Sequence, residues 1–130
     1  MIKIDTEKTI HITRGDSGTI IITAKDNEDN NYVFKANDIL RLKIMKQKNV
    51  ENVLLVKDVT ISSNTTIVEI ELNSKDTKLE NYINKPVTYW YEIELNPESE
   101  KSTTIIGYDE DGPKKIKLYP ECKEINYEHW

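Results

Sequence analysis

Val87-Thr88-Tyr89-Trp90-Tyr91-Glu92-Ile93-Glu94-Leu95 changes side-chain character at every step. Val87, Tyr89, Tyr91, Ile93 and Leu95 fall on one face of an extended chain, and Thr88, Trp90, Glu92 and Glu94 on the other. Successive side chains of a strand point to opposite faces, so this period of two predicts a long strand with one buried side. The loop Asn96-Pro97-Glu98-Ser99-Glu100 ends it, and a second apolar run passes through Thr103-Thr104-Ile105-Ile106. Turn residues from Gly107 to Pro113 then lead into a closing strand that alternates Ile116 and Leu118 with Lys115, Lys117 and Tyr119. Strands separated by such punctuation form antiparallel sheets.

The same signature recurs towards the N-terminus. Ile10 and Ile12 alternate with Thr9, His11 and Thr13, and Arg14-Gly15-Asp16-Ser17-Gly18 reads as a turn in which glycine supplies positive φ. Thr19 to Lys25 is almost wholly β-branched, a strand composition. The polar loop Asp26 to Asn31 precedes a returning strand at Tyr32-Val33-Phe34. Leu40, Leu42 and Ile44 alternate with Arg41, Lys43 and Met45; Val53 to Val59 is apolar; Val68, Ile70 and Leu72 oppose Glu69 and Glu71. The one helical hint spans 74–80, with Asn73 or Ser74 as its N-cap. Eight or nine short strands at this spacing predict an all-β fold, a single antiparallel β-sandwich of immunoglobulin-like size with at most that one short helix. The sandwich domain is expected over 1–120. A tail over 121–130, ending in the aromatics Tyr127 and Trp130, is expected to dock on a neighbour.

Length and charge restrict function. At 130 residues the chain is long enough to bury a core without disulfides or metals. Apolar residues make up 37% and charged residues 32%, a polar protein whose Ile, Val and Leu nevertheless recur too regularly for disorder. The net charge of -5 is uneven: residues 1–65 hold 10 basic and 9 acidic side chains, residues 66–130 hold 8 and 14. A negative field disfavours nucleic acid as a partner. Neither a signal-peptide core nor an apolar run of roughly 18 residues is visible, so no membrane partner is expected. Cys122 is alone, which excludes an internal disulfide and a cysteine metal cluster.

The motifs that could carry catalysis or binding each have a plainer structural role. Arg14-Gly15-Asp16 has the letters of an adhesion tripeptide, yet it sits where a turn between strands is needed. Asp109-Glu110-Asp111-Gly112 looks like part of a calcium loop, but Gly112-Pro113 stops it and strands flank it, so it reads first as a solvated turn, with a weak cation site or an acidic contact for a basic neighbour as the alternatives. The pairs Glu92/Glu94 and Glu69/Glu71 read as charge on exposed strand faces, which blocks aggregation at sheet edges. His11 and His129 stand at opposite ends of the chain, without the spacing of a metal site or nucleophilic triad. His11 is expected to face outward from its strand. Trp90 is expected to face away from Tyr89 and Tyr91, among glutamates, as an interface anchor. No enzyme and no cofactor are expected. The candidate interface residues are Trp90, Tyr108, Asp109, Asp111, Tyr127 and Trp130.

Several blocks taken together carry a resemblance: Thr9 to Asp16, Lys57-Asp58-Val59, Pro86 to Leu95, Thr104 to Pro113, and Leu118 to Glu121. They look like a family of small structural proteins encoded by tailed phages and prophages of clostridia and related Gram-positive bacteria. The early Gly-Asp turn and late Tyr-Trp-Tyr strand are also similar to the N-terminal β-sandwich domain of phage baseplate upper proteins. Those proteins continue into long fibre-like regions, whereas this sequence stops at Trp130. The resemblance implies a virion protein made in the host bacterial cytoplasm, held in multiple copies by symmetry against other virion proteins. Tail or baseplate adaptor is the first expectation and capsid decoration the second. A carbohydrate-binding module for host surface glycans is the alternative of another class, requiring Trp90 and a tyrosine exposed together in a groove.

Overall fold

The computed structural model describes residues 2–4 (backbone only), 8–26, 28–48, 53–80, 82–106 and 112–121. Among them run nine strands and no helix: β1 (Ile2–Ile4), β2 (Ile10–Thr13), β3 (Gly18–Ile22), β4 (Ile39–Met45), β5 (Val53–Thr60), β6 (Val68–Leu72), β7 (Val87–Leu95), β8 (Thr103–Ile106) and β9 (Lys114–Tyr119). Seven form one sheet in the order β1-β2-β9-β7-β4-β5, with β8 also paired to β7; β3 and β6 form a separate two-stranded sheet.

The longest strand, β7, organises the main sheet. One of its edges pairs with β4 from Trp90 to Leu95. The other is shared in tandem, by β9 along Val87 to Tyr91 and by β8 along Ile93 to Leu95. Its alternation is realised in full: Tyr89, Tyr91, Ile93 and Leu95 are buried while Trp90, Glu92 and Glu94 are half-buried on the opposite face. The inward residues of β2, β4, β7 and β9 share one hydrophobic cluster with Ile20, Ile22, Val68, Ile70 and Leu72 of the small sheet. Each such buried aliphatic side chain contributes roughly 1.5–3 kcal/mol. The two sheets therefore close on a common core.

Three expectations need correction. The main sheet is mixed, because β2 runs parallel to β9, Ile10 opposite Ile116 and Ile12 opposite Leu118. Side-chain alternation reports which face is buried and carries no information on the direction of a partner about a hundred residues away. The predicted strand at Tyr32-Val33-Phe34 is reduced to isolated bridges, Lys25 with Asn31 and Phe34 with Thr65. Phe34 is nonetheless fully buried, so it is an anchor for a loop. The predicted helix at 74–80 is a single turn. Asn73 caps it as expected, its Oδ1 accepting from the amides of Lys75 and Asp76. Thr77 then turns away to bond the Arg14–Asp16 turn: its hydroxyl donates to the Asp16 carbonyl and accepts from the Gly15 amide. With no apolar stripe to bury, nothing favours continuing the helix. Strand β1 was not anticipated; it pairs antiparallel with β2.

Candidate functional site

Outward residues of β2, β9, β7, β4 and β5 make a continuous face on the main sheet, and register sets its neighbours. Trp90 lies opposite Lys115 on β9 and Met45 on β4. Its indole is flanked by Lys48 Nζ at 4.7 Å and Lys115 Nζ at 5.9 Å from the ring centroid, cation–π distances. Met45 is fully buried but stands outside the main core cluster. It is on the Trp90 side of β4, so that face carries a small apolar centre of its own. The outward placement of Trp90, away from Tyr89 and Tyr91, follows the alternation. It also separates the three rings between two faces, which weighs against a shared aromatic groove.

Towards β4 and β5 this face is ionic and internally matched. Arg41 binds Asp58 with two donors, Nε at 2.8 Å and Nη2 at 3.0 Å, and reaches Glu98 at 3.4 Å. That hydrogen bonding holds the Asp58 carboxyl below the usual range and raises the guanidinium further. Lys43 is opposite Glu92 in register but extends diagonally, placing Nζ 2.8 Å from Glu94 Oε1. Desolvation, together with the charge of Glu94, pushes the Glu92 carboxyl up against the opposing pull of Lys43.

Towards β2 and β9 the same face is cationic. Lys117 is opposite His11 on one side and Thr88 on the other. Thr9, His11, Thr88, Lys115 and Lys117 line a concavity of about 250 Å³. The His11 ring stacks on Tyr119 at 5.9 Å, and its Nδ1 shares a 2.8 Å hydrogen bond with the Tyr119 hydroxyl. His11 is thus half-buried and oriented, more constrained than a plain surface residue.

A second polar centre was not foreseen. Arg14, from the adhesion-like tripeptide, is directed inward: Nη1 donates to Glu121 Oε1 at 2.6 Å and Nη2 to the Glu80 carbonyl at 3.0 Å. The two side chains of the ion pair are only 11% and 5% exposed. Gly15 has φ +86°, and a Cβ there would meet the Glu121 carboxyl at 3.0 Å. The tripeptide is therefore a structural turn. Glu80 also accepts from the Tyr89 hydroxyl at 3.2 Å and pairs with Lys46 at 3.2 Å. Burial and then Glu80 push the Tyr89 hydroxyl up to about 12. No spacing signal links Arg14, Glu80 and Glu121; the link exists only in three dimensions.

A further open concavity of about 420 Å³ is lined by Ser17, Gly18, Thr19, Lys57, Glu71, Leu72 and Asn73. Lys57 there is already bound to Asp76 at 2.7 Å. Desolvation of Asp76 is outweighed by that bond and the Asn73 amide, so its carboxyl lies below the usual range. Among the described residues no group of three or more His, Cys, Asp and Glu side chains is placed to hold a metal ion. The other candidate residues, Tyr108, Asp109, Asp111, Tyr127 and Trp130, lie outside the described residues, as do Cys122 and His129. No family model, curated protein or solved structure matches the chain.

Proposed function

We propose that this chain is a non-enzymatic structural protein of a tailed-phage virion, a β-sandwich adaptor docked on the tail or baseplate. In this reading the β3–β6 sheet is the second layer of an immunoglobulin-like sandwich, and partners are other virion proteins arranged in multiple copies. One observation carries it beyond the sequence resemblance. Strand β5, eight residues long, is paired only with β4 among the described strands and presents Val53 and Val56 at 38% and 48% exposure. An open edge with exposed branched side chains invites strand addition by a neighbouring chain. Symmetry-related copies need only modest affinity each, because attachment at many points multiplies effective concentration.

Imaging intact particles of the source phage by cryo-electron microscopy tests this directly. Density for the domain on the tail or baseplate is the expected result; density on capsomers replaces it with a capsid decoration role, and absence from every particle overturns both. Val56→Lys should deplete the protein from particles while leaving its melting temperature near that of the parent. Undiminished incorporation of the variant would remove β5 from the interface.

A further inference from the structure

We infer that the concavity between β2, β9 and β7 is a binding site for a phosphate- or sulfate-type oxyanion. The inference is independent of the virion reading. Its basis is a difference in charge compensation across one face. On the outward face the described strand-borne cations Arg41 and Lys43 each contact a carboxylate. Lys115 and Lys117 are also on a strand, two residues apart on the same face, and no described carboxylate lies within ion-pair distance of either. Side chains two apart in a strand are separated by about 6.6 Å along it, so the two ammonium groups repel across the opening.

The remaining lining suits the same ligand. Thr88 brings a hydroxyl that can donate, His11 brings an oriented imidazole beside Thr9, and no acidic side chain among the described residues lines the concavity. A tetrahedral oxyanion offers several acceptor oxygens to such a set and relieves the repulsion between the ammonium groups. The attraction of Lys115 to the Trp90 ring holds one donor at the rim. The net charge of -5 opposes anion approach at long range. Within about one Debye length, roughly 8–10 Å, the two lysines set the local field.

The test is an NMR titration of the full chain with inorganic phosphate and sulfate at constant ionic strength, with chloride as the reference. Saturable shifts are expected at the amides of Thr9, His11, Thr88, Lys115 and Lys117. Combined Lys115→Gln and Lys117→Gln should weaken binding at least tenfold, while Lys101→Gln, an exposed lysine elsewhere, should leave it unchanged. Both lysines project outward from β9, so the double variant should melt close to the parent, and its amide spectrum verifies the fold. Glucose 6-phosphate against inorganic phosphate distinguishes the source: tighter binding of the ester identifies a glycan-borne group, equal binding the free ion, and either supports the site. No saturable shift with either ion, or equal binding by the double variant, overturns it.

Discussion

The two halves of the main sheet's outer face solve the same problem in different ways. Towards β4 and β5, every cation whose partner is described meets a carboxylate, Arg41 with Asp58 and Lys43 with Glu94. Towards β2 and β9, the described groups facing Lys115 and Lys117 are hydroxyls, an imidazole and an indole. Both halves are built from alternating strands with polar outward residues, so alternation alone does not separate them. Charge compensation does. A matched face contributes to cohesion of its own sheet, whereas an unmatched one retains attraction for something from outside. The stability cost of deleting a cation should therefore scale with how well it is matched and how deeply it is buried.

The largest effect is expected where matching is combined with burial, at Arg14. Replacing Arg14 with Ala removes the guanidinium that faces the buried Glu121 carboxylate, and denaturant unfolding should register a loss of about 3–5 kcal/mol. A loss below about 1 kcal/mol would show that Glu121 finds water or another donor, and would remove burial from the comparison. Next comes Lys43→Met, which keeps the apolar stem but removes the contact to Glu94 on a half-buried face. A loss of about 1 kcal/mol is expected in the same measurement, larger than for either β9 lysine. If Lys115→Gln costs as much as Lys43→Met, the two halves are equivalent and the comparison fails.

The smallest effect concerns Glu92, whose carboxyl is raised by desolvation and by Glu94. A carboxyl raised in the folded state binds its proton more tightly there than in the unfolded chain. Its contribution is therefore fully present below the unfolded value and is lost as pH rises through the folded one. Glu92→Gln should accordingly be neutral to slightly stabilising at pH 7, by no more than about 0.5 kcal/mol, relative to its effect near pH 4. Thermal melts at the two pH values measure this. Clear destabilisation by the substitution at pH 7 would mean that Glu92 is held charged by Lys43, and that the matched half includes it.

Much of the fold was legible. The faces of β2, β4, β6, β7 and β9 follow directly from period-two patterns, down to the separation of Trp90 from Tyr89 and Tyr91. Patterns failed where local chemistry was spent on tertiary contacts. Thr77 belongs to a stretch with sound capping residues, yet its hydroxyl serves the Arg14–Asp16 turn and the helix does not continue. Phe34 has strand composition around it and is buried through one bridge to Thr65. The candidate oxyanion site was legible only as parts. Lys115, Lys117 and His11 were each read as outward strand residues, and nothing in their order shows that β2 lies beside β9.

What the sequence determined by itself was the inside and outside of each strand, because burying apolar area is a property of the residue and its step along the chain. It also determined the acidic net charge and a turn at Gly15, where a side chain would strain the backbone at φ +86°. Only the tertiary structure decided which strands are neighbours, including the parallel pairing of β2 with β9. That pairing places His11 next to Lys117, and packing also brings Arg14 to Glu121. The physical reason is range. Alternation is a local signal, whereas hydrogen-bond ladders and charge pairing between distant segments depend on which arrangement closes the whole core at once.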